Sequence, residues 1–102
     1  MSPNLSSELI RQIQTIAQSD PQIEQIILYG SRARGTANER SDIDLAIKGD
    51  LSPAQLGRLR EQLEALPILQ RFDLLLLDDI TDQSLTEAIA QEGVMIYPAA
   101  QP

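Results

Sequence analysis

An apolar run closes on Gly30-Ser31, and after ten intervening residues Asp42-Ile43-Asp44 opens another. Asp42 and Asp44 alternate with apolar neighbours, so on a strand their side chains point the same way with α-carbons roughly 6.5 to 7 Å apart. Two carboxylates so placed converge on a hard divalent cation, and magnesium is usually held by one or two carboxylates together with waters and phosphate oxygens. The Gly-Ser turn supplies the complement. Glycine lets backbone approach closely, serine offers a hydroxyl, and amides at the start of a helix attract phosphate. Arg32 and Arg34 follow the turn, where a guanidinium reaches phosphates or a partner, and Arg32 is placed with the triphosphate. Asp73, near the start of a later apolar run, can accept a proton from an attacking hydroxyl or ligate a second metal. The ligand implied by this pattern is a magnesium-bound nucleoside triphosphate. No P-loop and no Gly-x-Gly-x-x-Gly fingerprint is present to explain the turn otherwise.

The elements that must position these residues follow from periodicity. Leu5, Leu9, Ile13, Ile16 and Ala17 recur at helical spacing, which predicts an amphipathic helix over 5–19 ending before Asp20-Pro21. Ile23 to Tyr29 reads as a buried strand, and residues 31–37 as a short helix with Ser31 as its N-cap and Gly35 near its end. Residues 38–41 form a polar turn, and the alternation from Asp42 to Lys48 predicts a strand. Ser52-Pro53-Ala54-Gln55 is a capping box with proline at the first helical position, opening a helix whose Leu56, Leu59, Leu63 and Leu66 face the core. Arg71 to Leu77, with four consecutive leucines, reads as a strand covered on both faces. Ser84-x-x-Glu87 precedes or overlaps a last helix carrying Leu85, Ala88 and Ile89 and closed by Gly93, and Val94 to Tyr97 is a final strand. Tyr29 reads as a buried strand tyrosine, and Asp50, Asp78 and Asp79 as turn residues.

The order is αβαβαβαβ, an α/β (α+β) chain with a small mixed sheet covered by helices. If the Gly-Ser turn and the Asp pair share a site, the first two strands run antiparallel. Asp73 joins them only if the second and third strands run parallel, joined by a right-handed crossover through the helix between them. Residues 1–102 are expected to form one domain, with 98–102 a loose tail.

Bulk properties narrow the chemistry further. The 102 residues carry fifteen acidic against eight basic side chains, a net charge of −7 that opposes binding to a polyanion such as DNA or RNA. Histidine and cysteine are both absent, so carboxylates must carry any acid–base work or metal binding. The lack of cysteine suits a reducing cytosol, and no apolar run approaches the roughly 20 residues that span a bilayer, so a cytoplasmic protein off the membrane is expected.

Gly-Ser, ten residues, Asp-x-Asp and a downstream aspartate on an apolar strand resemble the signature of the minimal nucleotidyltransferases of the DNA polymerase beta-like superfamily. Gly-Ser-Arg-Ala-Arg-Gly through Ser-Asp-Ile-Asp-Leu-Ala matches their fuller form, and the likeness runs from the first helix to Gly-Val-Met-Ile-Tyr. The resemblance implies a polymerase beta-like fold and transfer of a nucleoside monophosphate with release of pyrophosphate. It places two magnesium ions on Asp42, Asp44 and Asp73, and ATP on Gly30 and Ser31. Stand-alone members are typically paired with a HEPN-type toxin, so the resemblance further implies an antitoxin that adds AMP to, and neutralises, an RNase-like partner. Two alternatives stay open: a non-catalytic antitoxin that only binds its partner, and nucleotidylation of a small molecule such as an aminoglycoside.

Overall fold

The computed structural model describes residues 5–99. The expectations for residues 1–4 of the domain and 100–102 of the tail lie outside the described residues.

Helix α1 (Ser7–Gln18) starts where Ser6 accepts a hydrogen bond from the Leu9 amide, and it buries Leu9, Ile13 and Ala17. Strand β1 (Ile23–Tyr29) leads into the one-turn helix α2 (Ser31–Arg34). Strand β2 (Ile43–Gly49) is followed by α3 (Pro53–Glu64), whose capping box is complete: Ser52 Oγ accepts from the Gln55 amide at 3.2 Å and Gln55 Oε1 from the Ser52 amide at 2.8 Å. Strand β3 (Phe72–Leu76), a 3-10 turn (Leu77–Asp79), helix α4 (Gln83–Glu92) and strand β4 (Val94–Tyr97) complete the chain.

The sheet order is β3-β2-β1-β4, with β1 antiparallel to β2 and β4, and β2 parallel to β3. Both pairings required for a shared site are therefore present. Register pairs Leu28 with Leu45, Ile26 with Ile47 and Leu45 with Leu74, so one row of apolar side chains faces the same side. That side packs against Leu9, Ile13 and Ala17 of α1 and Leu59 and Leu63 of α3, and makes the core. Burial of this many aliphatic side chains, each worth about 1.5–3 kcal/mol, is the main force holding the layers together. The other face alternates with it and carries Tyr29, Asp44 and Asp73; α4 closes against this side, where Gly93 backs onto Ile27.

Two local expectations are corrected and a third is sharpened. Ser31 is the first helical residue of α2 and Gly30 stands at the N-cap without a side-chain bond, because the sharp turn is made by the glycine backbone itself. The leucine run is not a strand covered on both faces: Leu74, Leu75 and Leu76 end the edge strand β3, only Leu74 of them is buried, and Leu77 already starts the 3-10 turn. Helix α4 starts at Gln83, capped by Asp82, which accepts from the Ser84 amide, so Ser84-x-x-Glu87 overlaps the helix.

Candidate active site

The sheet places Tyr29, Asp44 and Asp73 in one row: Tyr29 opposes Asp44 across β1–β2, and Asp44 opposes Asp73 across β2–β3. Neighbouring strands are about 4.8 Å apart, so the two carboxylates are side by side on one face. Asp42 falls one residue before β2 begins. Ile43, the first strand residue, is held by its amide donating to Arg71 O at 2.8 Å.

Gly30 is the hinge of the site. Its φ of 76° and ψ of −155° lie in a region reserved for glycine, and a β-carbon there would run into Asp44 Oδ2. The backbone of the turn is thus pressed against the Asp44 carboxylate, which brings the two halves of the motif into contact. The Ala33 and Arg34 amides turn back to Gly30 O at 3.1 and 3.2 Å, so they serve the turn itself. Ser31 stands at the head of that turn.

Electrostatics report the same crowding. The Asp44 carboxyl is held above its ordinary range by burial first, then by the negative charges of Asp73 and Asp42, with Arg34 pulling it back down. Burial, Asp44 and Asp73 together push the Tyr29 phenol up to about 12, so it stays protonated at neutral pH. Three carboxylates within electrostatic reach of each other, at an edge where Asp73 is exposed, form a centre of negative potential that a cation would relieve.

Among the described residues no three acidic side chains already converge as a complete metal cage. Magnesium takes most of its oxygens from water and substrate phosphate, so one or two protein carboxylates can be enough to hold it. The all-oxygen donor set fits such an ion, which Asp42 and Asp44 would hold with Asp73 alongside.

The other residues divide. Arg32, expected at the triphosphate, is 8 % exposed and its guanidinium donates to the backbone carbonyls of Ser41 and Asn38. Arg34 is half-exposed and pairs with Glu92 at the end of α4 at 3.2 Å. Sequence reasoning undervalued Tyr29, although its position just before the Gly-Ser turn places it opposite the Asp pair once β1 and β2 are antiparallel. Glu92 carried no signal, being 58 residues from its partner. A cavity of about 810 Å³ opens elsewhere, between the start of α1, the 37–39 loop and Pro67–Gln70, and none of the three aspartates lines it. Its walls include Arg32 and Ile43 together with Glu8 and Glu39, but neither Gly30 nor Ser31, and the carboxylate row remains the better candidate.

Residues 11–101 match the family model described as "Polymerase beta, Nucleotidyltransferase". The chain belongs to that family. Nucleotidyl transfer is the family's reaction, and the four-stranded mixed sheet with its helices is the polymerase beta-like nucleotidyltransferase fold. The chain is 29 % identical over 87 residues, 85 % of each chain, to a Methanocaldococcus jannaschii protein named "Putative protein adenylyltransferase MJ1379". A toxin–antitoxin crystal structure with AMP-PNP superposes with a TM-score of 0.71 at 24 % identity, covering 88 % of this chain and 73 % of that one. A complex of a tri-AMPylated Shewanella oneidensis HEPN toxin with an MNT antitoxin gives 0.68 at 20 % identity, covering 93 % and 74 %. These structural likenesses bear on the polymerase beta-like nucleotidyltransferase fold.

Proposed function

We propose that this chain is a magnesium-dependent adenylyltransferase that moves AMP from ATP to a side-chain hydroxyl of a HEPN-type toxin, and so acts as the toxin's antitoxin in the cytoplasm. The observation that carries the reading is the position of Asp44, in contact with the Gly30 backbone on one side and in register with Asp73 on the other. Support for AMP and a protein acceptor comes from the relative named as a protein adenylyltransferase and from the neighbour bound to an AMPylated toxin. The net charge of −7 favours a protein acceptor over a polyanion.

In this reading Gly30 and Ser31 receive the triphosphate, Asp42 and Asp44 hold magnesium, and Asp73 stands where an acceptor hydroxyl arrives. Bound magnesium supplies charge neutralisation at the attacking and leaving oxygens. The hydroxyl oxygen forms a bond to the α-phosphorus, the bond to the bridging oxygen breaks, pyrophosphate departs, and Asp73 accepts the hydroxyl proton. The chain contributes positioning and a fixed electrostatic field rather than a covalent step.

Incubation of the purified chain with α-labelled ATP, magnesium and its genomic neighbour tests the reading. Label on the neighbour that disappears with Asp42→Ala/Asp44→Ala is the expected result. Neutralisation in a stable complex without label would replace the enzyme with a binding module, and label found only on an added aminoglycoside would replace the acceptor.

A further inference from the structure

The spacer between the Gly-Ser turn and Asp42 is organised around one buried cation. Arg32 Nε and Nη2 both donate to Ser41 O, at 3.1 and 3.0 Å, and Nη2 also reaches Asn38 O at 3.2 Å. Those two acceptors are the ends of one tight turn: the Ser41 amide donates to Asn38 O at 3.1 Å, and the Asn38 amide to Ser41 Oγ at 3.1 Å. Inside it the Arg40 amide donates to Asn38 Oδ1 at 2.8 Å, and Gln70 Nε2 donates to Glu39 O at 2.7 Å from outside.

Asp42 lies between this turn and the sheet. On its N-terminal side the Ser41 carbonyl is gripped by the Arg32 fork; on its C-terminal side the Ile43 amide is fixed to Arg71 O at 2.8 Å. Asp42 itself belongs to no strand, so its backbone direction is set by those two anchors rather than by pairing. We infer that Arg32 is the positioning residue for Asp42: it sets the metal-facing direction of that carboxylate by clamping the Asn38–Ser41 turn, rather than by touching the triphosphate. The inference rests on the proposed metal role of Asp42.

The guanidinium's planar fork matters here, because two donors on one carbonyl and a third contact on a second carbonyl need its fixed geometry. A lysine ammonium keeps the charge but loses the fork. Removal of groups that orient a metal ligand typically lowers metal affinity by about 10–100-fold.

Manganese binding, followed by electron paramagnetic resonance in the presence of a non-hydrolysable ATP analogue, separates positioning from mere stability. Three proteins are compared: wild type, Arg32→Lys, and Ile13→Val, which loosens the core far from the site. Arg32→Lys should weaken manganese binding about 10–100-fold while remaining folded, and Ile13→Val should leave it within about twofold even when its melting temperature falls as far. Equal manganese affinity in wild type and Arg32→Lys, or equal losses in both variants, overturns the inference; so does a wild type that binds no manganese. Failure of the proposed function alone looks different: manganese is bound with the analogue, yet no nucleotide is transferred.

Discussion

Asp44 and Asp73 are register partners across the parallel β2–β3 pair, two acidic side chains adjacent on one face. Burial and this neighbour, with Asp42 adding to them, hold the Asp44 carboxyl above its ordinary value of 3.8. A carboxyl whose pKa is raised by folding favours the fold fully below its unfolded value and loses that contribution as pH rises through the folded value. Asp44→Asn therefore raises the melting temperature of the metal-free protein at pH 7, and the gain vanishes near pH 3.5. Thermal melts in a chelator at both pH values check this; a lower melting temperature for the variant at pH 7 contradicts it. The same substitution should lower nucleotidyl transfer by on the order of a thousandfold, since charge stabilisation by a held metal is worth several kcal/mol.

The contact between Gly30 and Asp44 predicts a non-additive pair. Gly30→Ala forces a side chain into glycine-only backbone space and onto Asp44 Oδ2, and should cost about 1–3 kcal/mol in a denaturant melt. In the Asp44→Ala background the carboxylate is gone, and the cost should shrink by about 0.5–3 kcal/mol. Additive losses would mean that the carboxylate is not what the new methyl meets.

Arg34 pulls the Asp44 pKa down from a half-exposed ion pair with Glu92. Arg34→Ala should consequently move the Asp44 carboxyl titration, followed by carbon NMR, to higher pH. Overall stability should change by no more than about 0.5 kcal/mol, as expected for an exposed pair. An unmoved titration would show that Arg34 is too well screened to reach Asp44.

Gly57 lies inside α3, and a β-carbon there meets nothing within 4 Å. Gly57→Ala should stabilise the protein by about 0.5–1 kcal/mol through helix propensity alone. A melt that shows no gain would mean that this position contacts something in solution. Transfer activity should be unchanged.

Much of the framework was legible because its signals are local. The capping box at Ser52–Gln55, the helical stripe of Leu9, Ile13 and Ala17, and the alternation through Ile43, Leu45 and Ile47 each depend on residues a few positions apart. The opposed requirements on Asp42, Asp44 and Asp73 even implied strand directions, since a shared site admits only one arrangement. The four leucines misled because a continuous apolar run does not by itself say that both faces of the strand are covered.

Residue types and spacing by themselves determined the chemistry this chain can hold: oxygen donors for a hard cation, a glycine turn beside them, and no histidine or cysteine to offer another route. Tertiary structure alone decided which residues stand beside those donors. It set Tyr29 opposite Asp44, turned Arg32 into the 38–41 loop, and brought Glu92 to Arg34. The reason is physical: a side chain's charge and donors are intrinsic to it, whereas its partners depend on strand register and helix packing, which are settled by burial of the whole core at once.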